Sequence, residues 1–191
     1  GRAFDGCKAL NSIILNNNLT TILHYAFNGC SSLVTVNIPN SVTEMGEGIF
    51  AHCTKLQGFT GRYATNKGQL LIIGEALIAA APQSVTEVTI PDNVTNICES
   101  AFTDCKKLIK VSMNNNVTRI GGGAFSGCTV LKSVQLSNNI NKIEIITFSG
   151  CKALNSITIP YSVKTIGGYA FEGCSALTSI SLPSVYTIES S

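Results

Sequence analysis

Cysteine is the residue type in this sequence with the most reactive chemistry, and the chain of 191 residues has eight of them beside two histidines. Seven follow a phenylalanine by three positions, as Cys30 follows Phe27. Such an array could form disulfides, bind a metal or, where His52 adjoins Cys53, supply a Cys–His nucleophile pair. Cysteines that recur at one position of a repeat are expected to point in parallel from neighbouring copies. We predict free, buried thiols that pack as small apolar groups, with disulfides and a metal site as alternatives.

Catalytic and cofactor sites find little support. His24 and His52 fall at different positions of the repeat, and no C-x-x-C pair is present. The 11 carboxylates include no pair marked out as lying across a cleft, as a glycosidase needs. The glycines at 121–123 lack the Lys-Ser or Lys-Thr that follows a phosphate loop. We expect neither an enzyme nor a bound cofactor or metal.

The composition of the chain restricts the classes of partner that are expected. The chain is 45% hydrophobic and 13% charged, with a net charge of +2 and no basic tract, which argues against disorder and against nucleic-acid binding. The longest apolar run is interrupted by Gly74 and Glu75 and is much shorter than the roughly 20 residues of a membrane helix. We predict no membrane span.

The phenylalanines and cysteines belong to a repeat of 23 residues. Counting from each phenylalanine, position +6 is Leu, positions +9 and +11 are apolar, and position +12 is often Pro. The spacing fails once, with 52 residues between Phe50 and Phe102. The phenylalanines of the repeat are Phe4, Phe27, Phe50, Phe102, Phe125, Phe148 and Phe171.

Each copy predicts the same local structures. Residues 33–39 alternate between apolar and polar and end at Pro39, which indicates a short, half-buried strand. Residues 41–46 suggest a second extended piece, and the Ala-Phe-x-x-Cys stretch suggests a single tight helical turn. One copy cannot cover its own apolar side, so copies must stack. The predicted fold is an α/β leucine-rich-repeat solenoid, a right-handed coil with a parallel β-sheet on one face.

Residues 60–80 depart from the repeat. Residues 68–79 read as two apolar strands about a Gly-Glu turn, so we predict an inserted hairpin within one domain of residues 1–191. A functional protrusion is the alternative, because insertions in repeat arrays often map to a binding face. The chain begins in mid-repeat without Met, and we expect it to be a fragment of a longer protein.

Positions +8 and +10 of the predicted strands face outward, and they are rich in hydroxyl groups and poor in charge. They form the candidate binding face. Its residues are Thr35, Asn37, Glu87, Thr89, Lys110, Ser112, Ser133, Gln135, Ser156, Thr158, Ser179 and Ser181.

The units of this chain, such as residues 26–43, resemble the BspA-type leucine-rich repeat, and the resemblance covers nearly the whole sequence. It implies a surface or secreted protein, extracellular in location, that adheres to host extracellular proteins or to other cells. The repeated residues are the buried ones, so the resemblance supports the predicted fold more strongly than the predicted function.

Three functions follow from this reading. The first is a non-catalytic adhesion module that binds a protein through the candidate face by many weak hydrogen bonds. The second is a glycan-binding module, which needs stacking aromatics, whereas the chain has no Trp and only five scattered Tyr residues. The third is a passive stalk that spaces other domains.

Overall fold

The computed structural model describes residues 1–190 as a stack of short β-strands. In chain order they are β1 (Thr21–Ile22), β2 (Thr35–Ile38), β3 (Glu44–Met45), β4 (Gly58–Gly61), β5 (Ala64–Thr65), β6 (Leu70–Ile73), β7 (Ala76–Ala80), β8 (Glu87–Thr89), β9 (Asn96–Ile97), β10 (Lys110–Ser112), β11 (Arg119–Ile120), β12 (Ser133–Gln135), β13 (Lys142–Ile143), β14 (Thr165–Ile166) and β15 (Thr187–Ile188). Outside the inserted segment each turn of the solenoid supplies one strand or extended piece to each of two rows.

The first row holds the strands at positions +8 to +11, and its pairing is parallel and in register. Val111 of β10 lies opposite Val88 of β8 and Val134 of β12. Buried and exposed residues alternate along β2, β8 and β12, because successive side chains of a strand point to opposite faces. The second row holds the two-residue strands at +17 and +18, in which Ile143 pairs with Ile166. The predicted solenoid with parallel strands is therefore confirmed.

The predicted α/β class and its single-turn helices are wrong, because residues 1–190 contain no helix. The segment around Phe27 consists of successive β-turns, with the N–H of Cys30 donating to the Phe27 oxygen. Tyr25 and Gly29, two positions either side of Phe27, have φ of 57° and 69°. Left-handed residues at the third position of a turn are typical of type II geometry and stop a helix from forming. The same conformation recurs two residues before the other phenylalanines, at Arg2, Gly48, Ser100, Gly123, Ile146 and Tyr169.

Phenylalanine rings stack in two columns along the solenoid. Phe125 lies between Phe102 and Phe148, with ring centroids 5.0 and 5.4 Å apart and nearly parallel planes. These three rings are fully buried. In-register stacking brings identical side chains together at every turn, so the repeat builds a continuous core from a few residue types.

The inserted segment forms an antiparallel hairpin of β6 and β7 that divides this core. Leu70 and Leu77 pack into the apolar cluster of the C-terminal turns, whereas Leu71 and Ile78 pack into that of the N-terminal turns. β7 also pairs in parallel with β9, which joins the hairpin to the second row. The first row is consequently split into a sheet of β2 and β4 and a sheet of β8, β10 and β12, in place of one continuous sheet.

Candidate functional site

The candidate face is the outer surface of the first row. Eleven of its twelve predicted residues are exposed, and Ser112 is half-buried. In the second sheet Lys110 lies between Glu87 and Ser133, and Ser112 lies between Thr89 and Gln135. In the first sheet Asn37 lies beside Thr60, whose hydroxyl donates to the Asn37 side-chain oxygen across 3.1 Å. Thr60 is at +10 from Phe50, but the sequence pattern assigns it to the irregular segment of residues 60–80, so it is absent from the predicted face.

The C-terminal part of the face is less regular. Ser156 and Ser179 lie outside any strand, and Thr158 and Ser181 form one isolated parallel bridge. The ladder of β8, β10 and β12 ends at Gln135, and no described residue pairs with the other side of β12. The candidate residues are thus exposed on one side of the solenoid but distributed over two ladders and one bridge.

The cysteine column points into the core. Within residues 1–190 no disulfide is present, and every cysteine except Cys7 is buried. The thiols of Cys30, Cys53, Cys128, Cys151 and Cys174 each donate to the phenylalanine carbonyl one turn earlier, over 3.1 to 3.2 Å. Burial raises the pKa of the Cys53 and Cys151 thiols to about 12. Because the thiolate is the reactive form, these cysteines are suited to packing and not to nucleophilic chemistry.

His52 and Cys53 do not form a pair. The Nδ1 atom of His52 lies 2.8 Å from a carboxylate oxygen of Asp104, whereas the Cys53 thiol points the other way, to the Phe27 carbonyl. The hydrogen bond to Asp104 raises the pKa of His52, and the same bond lowers the pKa of Asp104. His24 has a separate structural contact, since its Nδ1 accepts the Glu47 N–H.

Near the β-turns that carry His52 and Asp104, side chains of the N-terminal turns contact side chains of the C-terminal turns directly, although the hairpin divides the core. His52 and Asp104 sit at the same position of turns 52 residues apart in sequence, and they are in direct contact. Arg119 donates to Glu47 across 2.6 Å, and the Tyr25 hydroxyl donates to Glu99. Burial, followed by that hydrogen bond, raises the pKa of Tyr25 to about 12.

No other chemistry converges in the described part of the chain. Residues 1–190 hold no group of three His, Cys, Asp or Glu side chains that could bind a metal ion. Gly121 is not part of a phosphate loop but sits where the backbones of two turns touch, since a β-carbon there would lie 2.4 Å from the Glu99 nitrogen. Nor does this part of the chain include a helix with the length and apolarity that a bilayer crossing requires.

The repeat geometry is shared with a known family. The sequence pattern of the BspA type leucine rich repeat region matches residues 1–69 and 72–191 in six copies. The chain belongs to the BspA-type leucine-rich-repeat family. The break in the match falls within β6, the first strand of the hairpin that interrupts the BspA-type repeats.

Solved structures of bacterial leucine-rich-repeat proteins are similar to this BspA-type chain. A leucine rich cell surface protein from Faecalibacterium prausnitzii is 30% identical with a TM-score of 0.83, over 93% of this chain and 52% of that one. A leucine-rich repeat protein from Bacteroides ovatus is 27% identical with a TM-score of 0.64, over 89% of this chain and 43% of that one. The pneumococcal vaccine antigen PcpA shares the fold, at 24% identity and a TM-score of 0.76, over 90% of this chain and 46% of that one.

The BspA-type chain thus spans about half the length of these solved proteins. Among curated protein sequences, none matches it.

Proposed function

We propose that this chain is a non-catalytic module of a secreted or cell-surface protein, and that it adheres to a partner protein through the candidate face. The partner is a host extracellular protein or a surface protein of another cell. The similarity to a leucine rich cell surface protein supports the extracellular location. The proposal includes the absence of catalysis, because seven cysteines are buried in the core and each of the two histidines makes a pairwise contact.

The observation that carries the proposal is the alternation of buried and exposed residues along the first-row strands. In β8 and β12 the central valine is buried, whereas the residues on either side are exposed and take no part in the core. Packing between turns therefore restricts the residue types at Val88 and Val134. The residue types at Thr89 and Ser133 are not restricted by the core and can suit contact with a partner. An array of exposed hydroxyl and amide groups suits many weak contacts, which become strong when modules are linked.

Binding to immobilised matrix proteins and to whole bacterial and host cells tests this proposal. The test variant carries Thr35→Arg and Thr89→Arg on the candidate face, outside the cavities near Gln135, and the control variant carries Thr118→Arg and Asn141→Arg, two exposed residues of the second-row segments. We expect the wild type and the control to be retained by at least one surface, and the test variant to lose at least tenfold in affinity. Equal retention of both variants, or retention by no surface, as the passive-stalk alternative requires, would contradict the proposal.

A further inference from the structure

The sheet of the first row opens between β12 and the strand segment that follows it. Elsewhere in this sheet the central valine is closed off by its neighbours, and Val111 of β10 is 0% exposed. At the opening, Val134 and Ile157 are 7% and 8% exposed, although they occupy the same repeat position. The outer edge of β12 has no ladder partner within the described residues. The two turns have therefore parted at the surface while remaining packed underneath.

A trough lies over this opening. It consists of two adjoining cavities of about 340 Å³ each, which share Asn138, Thr158 and Pro160. The first cavity extends towards Lys110, and the second extends towards Pro183. The volume of each cavity is within the range found for small-molecule sites. Together the two cavities form an elongated depression along the candidate face.

The polar groups of the trough are unused by the protein itself. Within residues 1–190 the side chains of Ser133, Gln135, Asn138 and Thr158 make no hydrogen bond to another residue. One turn earlier, by contrast, the equivalent Asn115 uses its side-chain oxygen to accept the Asn138 N–H. The trough therefore presents two amides and three aliphatic hydroxyls, including that of Ser181, each able both to donate and to accept.

The trough is also nearly uncharged and is partly lined by apolar residues such as Leu136 and Ile159. No carboxylate lines either cavity, and Lys110 at one end is its only cation. Tyr161, which is 76% exposed, stands beside Pro160 in the second cavity. A pyranose ring is complementary to such a surface, because its hydroxyls match amides and hydroxyls while its C–H face stacks on a flat ring.

We propose that the trough between Gln135 and Tyr161 binds a neutral saccharide of one or two pyranose units. This inference goes beyond the proposed protein-binding function, since it adds a second class of ligand at one end of the candidate face. An extended peptide is the competing occupant. The side-chain amides and hydroxyls that have no partner in the protein, next to an exposed tyrosine ring, favour the sugar.

Saturation-transfer NMR tests the proposal, with the intact chain and with glucose, galactose, mannose, N-acetylglucosamine, lactose and sialyllactose as probes. The test variants are Tyr161→Ala and Asn138→Ala. The matched control is Tyr186→Ala, which removes an equally exposed tyrosine, at 79%, that does not line the trough. Circular dichroism and thermal unfolding of each variant check that the fold is kept.

We expect saturable binding of at least one neutral sugar, weakened at least tenfold by Tyr161→Ala and by Asn138→Ala and unchanged by Tyr186→Ala. Three results would overturn the proposal: no transfer to any probe, transfer to sialyllactose alone, or equal effects of the two tyrosine variants. The protein-binding function can fail separately, because its test variant leaves Tyr161 and Asn138 intact. Loss of protein adhesion in Tyr161→Ala without any sugar binding would assign the trough to the protein partner instead.

Discussion

The thiol of Cys128 donates a hydrogen bond to the main-chain oxygen of Phe102, with 3.1 Å between sulfur and oxygen. The same oxygen accepts the N–H of Cys105 within its own turn. One carbonyl thus closes a β-turn and holds the next turn in place. The cysteine column therefore links neighbouring turns as well as filling space between them.

Replacement of Cys128 by alanine should lower the free energy of unfolding by about 1 to 2 kcal/mol, because a buried sulfur and one hydrogen bond are lost. Urea unfolding followed by circular dichroism measures this. Cys7→Ala is the matched control, since Cys7 is exposed and its thiol has no hydrogen-bond partner among the described residues. Similar losses in the two variants would show that the column position contributes nothing.

Thiol reactivity should single out Cys7. Its side chain is exposed, whereas burial disfavours the thiolate of the others and raises the pKa of Cys98, for example, to about 11. At about pH 8 we expect a disulfide reagent to modify one thiol rapidly in the native protein and the rest only after denaturation. Peptide mass spectrometry identifies the modified residue. Fast modification of the native Cys7→Ala variant would disprove the assignment.

Gly121→Ala should destabilise the solenoid. The added β-carbon would lie 2.4 Å from the Glu99 nitrogen, so two turns would have to separate at that point. We expect a loss of about 1 to 3 kcal/mol in unfolding free energy. Gly122→Ala serves as the control, because its β-carbon would meet only the Ile145 Cγ2 and carbonyl oxygen, at 3.2 and 3.4 Å. A smaller loss at Gly121 than at Gly122 would contradict the close approach.

The contact of His52 with Asp104 predicts a pH-dependent stability. The raised pKa of His52 means that its contribution is complete below about pH 6.5 and is lost as the pH rises through the folded-state value. The lowered pKa of Asp104 means that its contribution is present above about pH 4 and is lost as the pH falls through the folded-state value. His52 is more than half exposed, so the gain should stay below about 1 kcal/mol.

Urea unfolding of the wild type and of His52→Gln at about pH 5.5 and about pH 9 measures this dependence. We expect the wild type to be more stable than His52→Gln at the lower pH. This difference in unfolding free energy should be smaller at the higher pH. His24→Gln is the control, because the pair with Asp104 is left intact. A difference that grows with pH would reverse the assigned sign.

The sequence was informative where side-chain type and spacing determine structure. Val36, Val111 and the other residues at +9 recur because each must fill the same buried position, so the rows of parallel strands were predictable. The turn around Phe27 was misread because Ala-Phe-x-x-Cys has the spacing of a helical turn. What excludes a helix there is a left-handed backbone at Tyr25, and side-chain type reveals such a conformation only when the residue is glycine.

The binding surface was predictable only in outline. Alternation identified the exposed positions of β8 and β12, but the opening between Val134 and Ile157 arises from the path of the backbone and leaves the repeat pattern unchanged. Tyr161 looked like one of several scattered tyrosines. Its place in one cavity with Asn138 of the preceding turn became evident only when two turns were seen side by side.

The two-sided hairpin has a consequence for how such proteins can vary in length. Leu70 and Leu77 complete the apolar wall of the C-terminal turns, while Leu71 and Ile78 complete that of the N-terminal turns. The apolar core of each stack thus ends on the hairpin, while turns next to the hairpin also meet directly, as His52 meets Asp104. Duplication or loss of a 23-residue unit away from those turns would leave the packing of the other stack unaltered, so the two halves are free to change in length independently during evolution.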